Sequence, residues 1–149
     1  MPPHNGPSWR DLVENLTDEA VFGPPLSEDE LAALEGRIGL RLPRKLRELL
    51  AEADGLKADH GSGVIWSAAE IERQNREFRA DPGFRRLYMP FDHLLLIGDD
   101  AGGDHFAFPI RANGQIRLSV IFRWDHETDS RSMFAAHLEQ YLEKRLGRG

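Results

Sequence analysis

The order of hydrophobic periods along this chain predicts an α+β fold: a single domain in which N-terminal helices pack on an antiparallel sheet and a C-terminal helix follows. Three observations predict it. Apolar residues recur at helical spacing up to about Arg79, strict alternation replaces that spacing between Leu94 and Trp124, and helical spacing returns at Leu138, Tyr141 and Leu142. A length of 149 residues suits one domain with a proper core.

The elements follow in order. The first eight residues, with Pro2, Pro3, Gly6 and Pro7, read as a loose arm. Trp9, Leu12, Val13 and Leu16 share a helical face, and Ser8 is placed to cap it. Gly23-Pro24-Pro25 breaks the chain. Ser27 with Glu30 forms a capping box, and Leu26 can staple to Leu31, so a helix begins there; Leu31 and Leu34 face inward, and Gly36 and Gly39 weaken or end it. Pro43 suits the first turn of the next helix, whose buried stripe is Leu46, Leu49, Leu50 and Ala53 and whose left-handed stop is Gly55. Val64 to Trp66 reads as a short strand. Ser67 and Glu70 repeat the capping box, with Trp66 and Ile71 as the staple, and open a helix that runs to about Arg79. Residues 80–92 read as irregular, with Asp81-Pro82-Gly83 a turn.

Leu94–Ile97 and Phe106–Ile110 are strand candidates, and Asn113-Gly114 is the strongest hairpin signal in the chain. Beyond it Ile116, Leu118, Val120, Phe122 and Trp124 alternate with Arg117, Ser119 and Arg123, the pattern of a strand buried on one face. A loop around residues 125–131 leads to the last helix, which Gly147 closes. No repeat and no second domain boundary are evident, so residues 1–25 are expected to be an arm with a short helix, 26–146 the domain and 147–149 a tail.

Between the first two strands lies a glycine-rich acidic turn with Gly98, Gly102 and Gly103, and with Asp99, Asp100 and Asp104 unaccompanied by any lysine or arginine. A phosphate cradle pairs glycine amides with a cation or a helix N-terminus, so three carboxylates rule out a nucleotide loop on sign. Two readings remain: aspartates capping local amides as Asx turns, or an anionic surface on a rigid hairpin suited to a basic cleft.

Net charge is −6, and the first 75 residues hold 8 basic against 14 acidic side chains. That balance argues against nucleic acid, whose binding rests on lysine and arginine contacts to phosphate, and favours a basic protein partner. Without cysteine there is no disulfide framework or thiolate metal site, and no long apolar span or export signal stands out, so a cytoplasmic location without membrane association is the default expectation.

The order of blocks is similar to the SUKH superfamily, which groups fungal cell-wall-assembly regulators with bacterial toxin-immunity proteins. The first block is Leu34-Glu35, Ile38-Gly39, Leu42-Pro43, Leu46, Leu50 and Asp54-Gly55, with Asp54 where Asn is more usual. The second is Trp66, Glu70-Ile71 and Asn75; the third runs from Ile97-Gly98-Asp99 through Gly102-Gly103-Asp104 to Phe106-Ala107; the last is Val120, Phe122 and Trp124-Asp125-His126-Glu127. The resemblance spans roughly residues 26–146. It implies an α+β domain without enzymatic activity or cofactor that works by binding another protein, in bacterial members typically a toxin, often a nuclease.

Trp124-Asp125-His126-Glu127 with Asp129 has metal-ligand types, which Asp104-His105 or Asp92-His93 could join, yet no recognised ligand spacing is present. None of Ser62, Ser67, Ser119, Ser130 and Ser132 sits in a nucleophile elbow. Arg73, Arg76 and Arg79, with Arg85 and Arg86 beyond, form a basic stripe that Glu72 and Glu77 can partner. Trp66 and Trp124 are expected to be buried, although tryptophan is also rich in binding hot spots. The reading that results is a non-catalytic immunity-type protein. It would meet a toxin domain with a basic cleft through Asp99, Asp100, Asp104, His105, Trp124, Asp125, His126 and Glu127, with no metal. The alternatives are a metal-assisted hydrolase using His105, His126 and nearby carboxylates, and a cytoplasmic regulatory scaffold.

Overall fold

Local capping builds the helices. The computed structural model describes residues 8–58 and 62–147, so the expected arm at Pro2, Pro3, Gly6 and Pro7 lies outside the described residues. In α1 (Trp9–Leu16) the Ser8 hydroxyl accepts from Asp11 N, while both carboxylate oxygens of Glu52 accept from Trp9 N and Arg10 N at 3.1 Å. The free amides of that first turn are thus satisfied from the end of α3 (Arg44–Glu52). α2 (Glu28–Ile38) carries the full Ser27–Glu30 capping box and ends at the left-handed Gly39. Pro43 stands one position before α3, and Leu46, Leu49 and Leu50 are its buried stripe. In α4 (Ala68–Ala80) only half of the expected box forms: Ser67 Oγ accepts from Glu70 N, but the Glu70 carboxylate turns to Arg73 at 2.8 Å.

The strands form two antiparallel sheets. β1 (Val21–Phe22), β2 (Leu56–Ala58) and β3 (Ser62–Ile65) make one, and β4 (Leu94–Asp99), β5 (His105–Pro109), β6 (Ile121–Trp124) and β7 (Arg131–Ala135) make the other, each in chain order. α6 (Leu138–Leu146) follows. The whole is an α+β domain, and among the described residues no helix is long and apolar enough to cross a membrane.

One junction links the layers. Asn75 of α4 is buried, and its side-chain amide donates to Leu96 O and accepts from Leu96 N, both at 2.8 Å, as a neighbouring strand would. The ladder between β4 and β5 shifts register between Leu96 and Gly98, and Ile97 O accepts from Trp66 N at 2.7 Å. That bond fastens the end of β3 to β4. A side chain on Gly98 would collide with the Val64 carbonyl, which in turn accepts from the Tyr141 hydroxyl of α6 at 2.6 Å.

Three expectations need correction. Asp81-Pro82-Gly83 is not a plain turn but the start of α5 (Pro82–Leu87): the Asp81 carboxylate accepts from Gly83 N and Phe84 N, and Pro82 fills the position where its missing N–H costs nothing. The Asn113-Gly114 turn forms, with Gly114 at φ 81, but the long strand expected after it shrinks to Ile121–Trp124. Paired residues run only from His105↔Trp124 to Ala107↔Phe122, and Leu118 is 51% exposed. Finally β7 occupies Arg131–Ala135, where no strand was expected, as are β1 and β2 at the other sheet.

The junction yields a stability prediction. Asn75→Ala strips a buried N–H and C=O of Leu96 of their partners and should lower stability by about 2–4 kcal/mol in urea unfolding. Gly98→Ala should be similarly destabilising, because its obstacle is backbone rather than a movable side chain.

Candidate partner-binding surface

Strand register brings the two expected acidic turns together. Asp99 pairs with His105, and His105 pairs with Trp124, so the turn of residues 100–104 and the turn of residues 125–130 lie at the same end of the four-stranded sheet. All eight candidate residues therefore gather there.

Within that end, each aspartate has a structural partner. Asp99 Oδ2 accepts from Trp66 Nε1 at 2.7 Å and Oδ1 from Ala101 N, and Ala101 takes a positive φ of 67. Asp100 accepts from Gly102 N and Asp104 N, which closes the turn. Asp104 accepts from Arg123 and from both His126 N and His126 Nδ1, the last at 2.7 Å. Asp129 receives Trp124 Nε1, Met89 N and Arg131.

Exposure corrects part of the expectation. Asp104 is 8% exposed and Trp124 3%, so neither offers its side chain to a partner; they shape the surface from beneath. The His105 ring is enclosed by Trp66, Phe78 and Trp124, and its Nδ1 donates to Gly103 O at 2.9 Å. Asp99, Asp100, Asp125 and His126 are half-buried, and the Glu127 side chain is 80% exposed. Arg123 was missed: it bridges Asp104 at 2.7 Å and Asp100 at 3.3 Å. Its position on an alternating segment was visible, but not that Phe106 would lie opposite and direct it under the acidic turn. Arg145, which donates to Asp99 O at 2.7 Å, was missed because only the packing of α6 brings it to the turn.

Titration follows from these contacts. At Asp104 burial opposes ionisation, but hydrogen bonds from His126 and Arg123 outweigh it and hold the carboxyl below its usual range. The bond to Asp104 raises His126 above its ordinary 6.5, whereas burial among aromatic rings lowers His105.

Asp104, Asp125 and His126 could bring three ligand atoms within 4.8 Å of one another. A metal there would have to displace the Arg123 guanidinium and the His126 ring from Asp104, and His105 and His93 are not part of the group. This geometry favours a charge-paired turn over the metal-assisted alternative.

Beside the turn opens a cleft of about 560 Å³, between the three-stranded sheet and the start of α4. Asp54, Glu70 and Asp99 line it with Trp66, against the single cation Lys57 among the described residues. Asp54 Oδ1 also accepts from Ala68 N at 2.7 Å, which explains why Asp serves well at that position: a carboxylate at a helix N-terminus is favoured by the dipole.

The sign of each shift fixes the pH dependence. The raised His126 contributes stability that is present below about 6.5 and is lost as pH rises through its folded value; the depressed Asp104 contributes stability that is present above about 3.8 and is lost as pH falls through its folded value. The pair is intact between, and Arg123 keeps Asp104 partnered at high pH. NMR titration should place the His126 midpoint above that of His105, and Asp104→Asn should bring the His126 midpoint down.

Proteins of curated function give no match to this chain. Residues 28–142 match the family described as SUKH_6, SMI1-KNR4 cell-wall. The match begins at the first residue of α2 and runs into α6, so it takes in both acidic turns, the Asn75 junction and the cleft lining apart from Val21, Phe22 and Gly23. The chain belongs to the SUKH family.

Proposed function

We propose that this chain is a non-catalytic binding protein of the immunity type, which neutralises a cytoplasmic toxin domain by laying the acidic end of its four-stranded sheet against a basic cleft. One observation carries the reading. Among the described residues, six carboxylates (Asp99, Asp100, Asp104, Asp125, Glu127 and Asp129) meet only three guanidinium groups, Arg123, Arg131 and Arg145, at one sheet end. The surplus field steers a basic partner, while the exposed atoms of Asp125, His126 and Glu127 make contact. The acidic cleft beside Trp66 extends that face and can receive a lysine or arginine side chain of the partner.

A regulatory scaffold would use the same face for a different partner. The genes beside this one separate the two: a neighbouring secreted toxin supports immunity.

The best probes are residues whose replacement keeps the local hydrogen bonds. Glu127→Lys combined with Asp125→Asn, which keeps the acceptor for Glu127 N, should weaken binding to the toxin domain encoded nearby about tenfold or more without moving the unfolding midpoint. Raising ionic strength to about 1 M should slow association of the native protein. Unchanged affinity in the double variant would reject this surface, and turnover of a small substrate would reject the non-catalytic reading.

A further inference from the structure

A second cavity carries the opposite charge. It measures about 320 Å³, and Arg37, Arg76, Arg79 and Arg85 line it with Glu72 as the only carboxylate. Glu72 is divided between two cations, accepting from Arg37 Nε through one oxygen and from Arg76 through the other. Arg79 and Arg85 have no carboxylate within ion-pair distance among the described residues; Asp92 acts on Arg79 only through its field, from outside the lining. The lining thus carries a surplus of three positive charges in a chain whose net charge is −6.

Arg79 is the telling residue. Its NH2 group donates to Leu94 O at 2.9 Å, which fixes the guanidinium, but its buried Nε has no partner. A half-buried cation with an unmet donor loses hydration without recovering the full value of a counter-charge. Arg85 Nε donates to Arg79 O at 3.1 Å, which orders the second unpaired guanidinium beside it. Arg73, by contrast, is satisfied by Glu70 and Glu77 and stays out of the cavity. The arginine stripe of α4 therefore divides into a neutralised part and an unsatisfied part.

We propose that this cavity is a binding site for a compact phosphate of charge −2 or greater, held by Arg79 and Arg85 and flanked by Arg37 and Arg76. Planar guanidinium groups offer paired N–H donors that match phosphate oxygens, and a multiply charged ligand offsets the surplus that Glu72 cannot. A nucleic-acid strand fits less well, because the lining has no aromatic ring on which a base can stack.

The test is a titration of the full chain with inorganic pyrophosphate at low salt, followed by calorimetry and by the arginine Nε–H signals in ¹H–¹⁵N spectra. Saturable binding that shifts the Arg79 signal is expected. Arg79→Met should weaken binding about tenfold or more, and Glu72→Gln, which removes the competing carboxylate, should tighten it several-fold. Arg86→Ala, outside the lining, should change nothing. If Arg79→Met fails to fold, Arg85→Ala and Glu72→Gln carry the same test. A nucleoside diphosphate that competes with equal affinity marks the phosphate alone as the ligand, and tighter binding marks a nucleotide; both uphold the site. Non-saturable shifts across all exposed arginines, an unchanged or weaker Glu72→Gln variant, or an oligonucleotide that outcompetes pyrophosphate would overturn it.

Discussion

The structure depends on a side chain that behaves as a piece of strand. Asn75 sits on a helix, yet its amide pairs with both backbone groups of Leu96, which gives β4 a hydrogen-bonded neighbour where no strand lies. An adjacent irregularity in the ladder leaves the Ile97 carbonyl free for Trp66 N. Through that bond the two sheets, which the chain builds separately, are held in one arrangement. Gly98 admits the Val64 carbonyl, and Val64 receives the Tyr141 hydroxyl, so the last helix is fixed by the same knot. Arg145 extends it by one step, donating to Tyr141 and to the Asp99 carbonyl at the base of the acidic turn.

That chain of contacts explains how an acidic turn can be both negative and stiff. Carboxylates crowded in a small loop repel one another unless they have partners. Here Asp99, Asp100 and Asp104 spend their hydrogen bonds on Trp66 Nε1, on backbone amides and on Arg123. Their charges still contribute to the field outside, because only some of them face a guanidinium. Local capping and an anionic surface, which the sequence presents as rival readings, coexist: hydrogen bonds act at contact distance, whereas the field of the surplus charge acts across a Debye length. Half-buried Asp125 and His126 and exposed Glu127 form the outer part of this end, while buried Asp104 and Trp124 hold the turns in register.

α4 divides the charge of the molecule. Its first turn presents Glu70 to the acidic cleft, and its later turns present Arg76 and Arg79 to the basic cavity. The polarity agrees with the helix dipole, which favours anions at the start and cations at the end. A net charge of −6 thus hides two surfaces of opposite sign, which composition alone does not reveal.

Helix starts were legible because their signals are local. Ser8, Ser27 and Ser67 each bond an amide three residues on, a contact that spacing alone reveals, and the stripe of Leu46, Leu49 and Leu50 needs only a period. The acidic turns were legible as composition, and their meeting at one sheet end followed from strand order. The sequence could not show which strands are short: β1 is defined by a partner more than thirty residues on, and β2 and β7 are brief segments without a clear alternating period that become strands only by pairing with β3 and β6. Nor could it show that Arg123 lies under Asp104, that His105 is walled in by rings, or that Arg79 has no carboxylate within ion-pair distance. A carboxylate or guanidinium carries the same formal charge in any sequence, but register and burial decide which partner it meets and how much water it keeps.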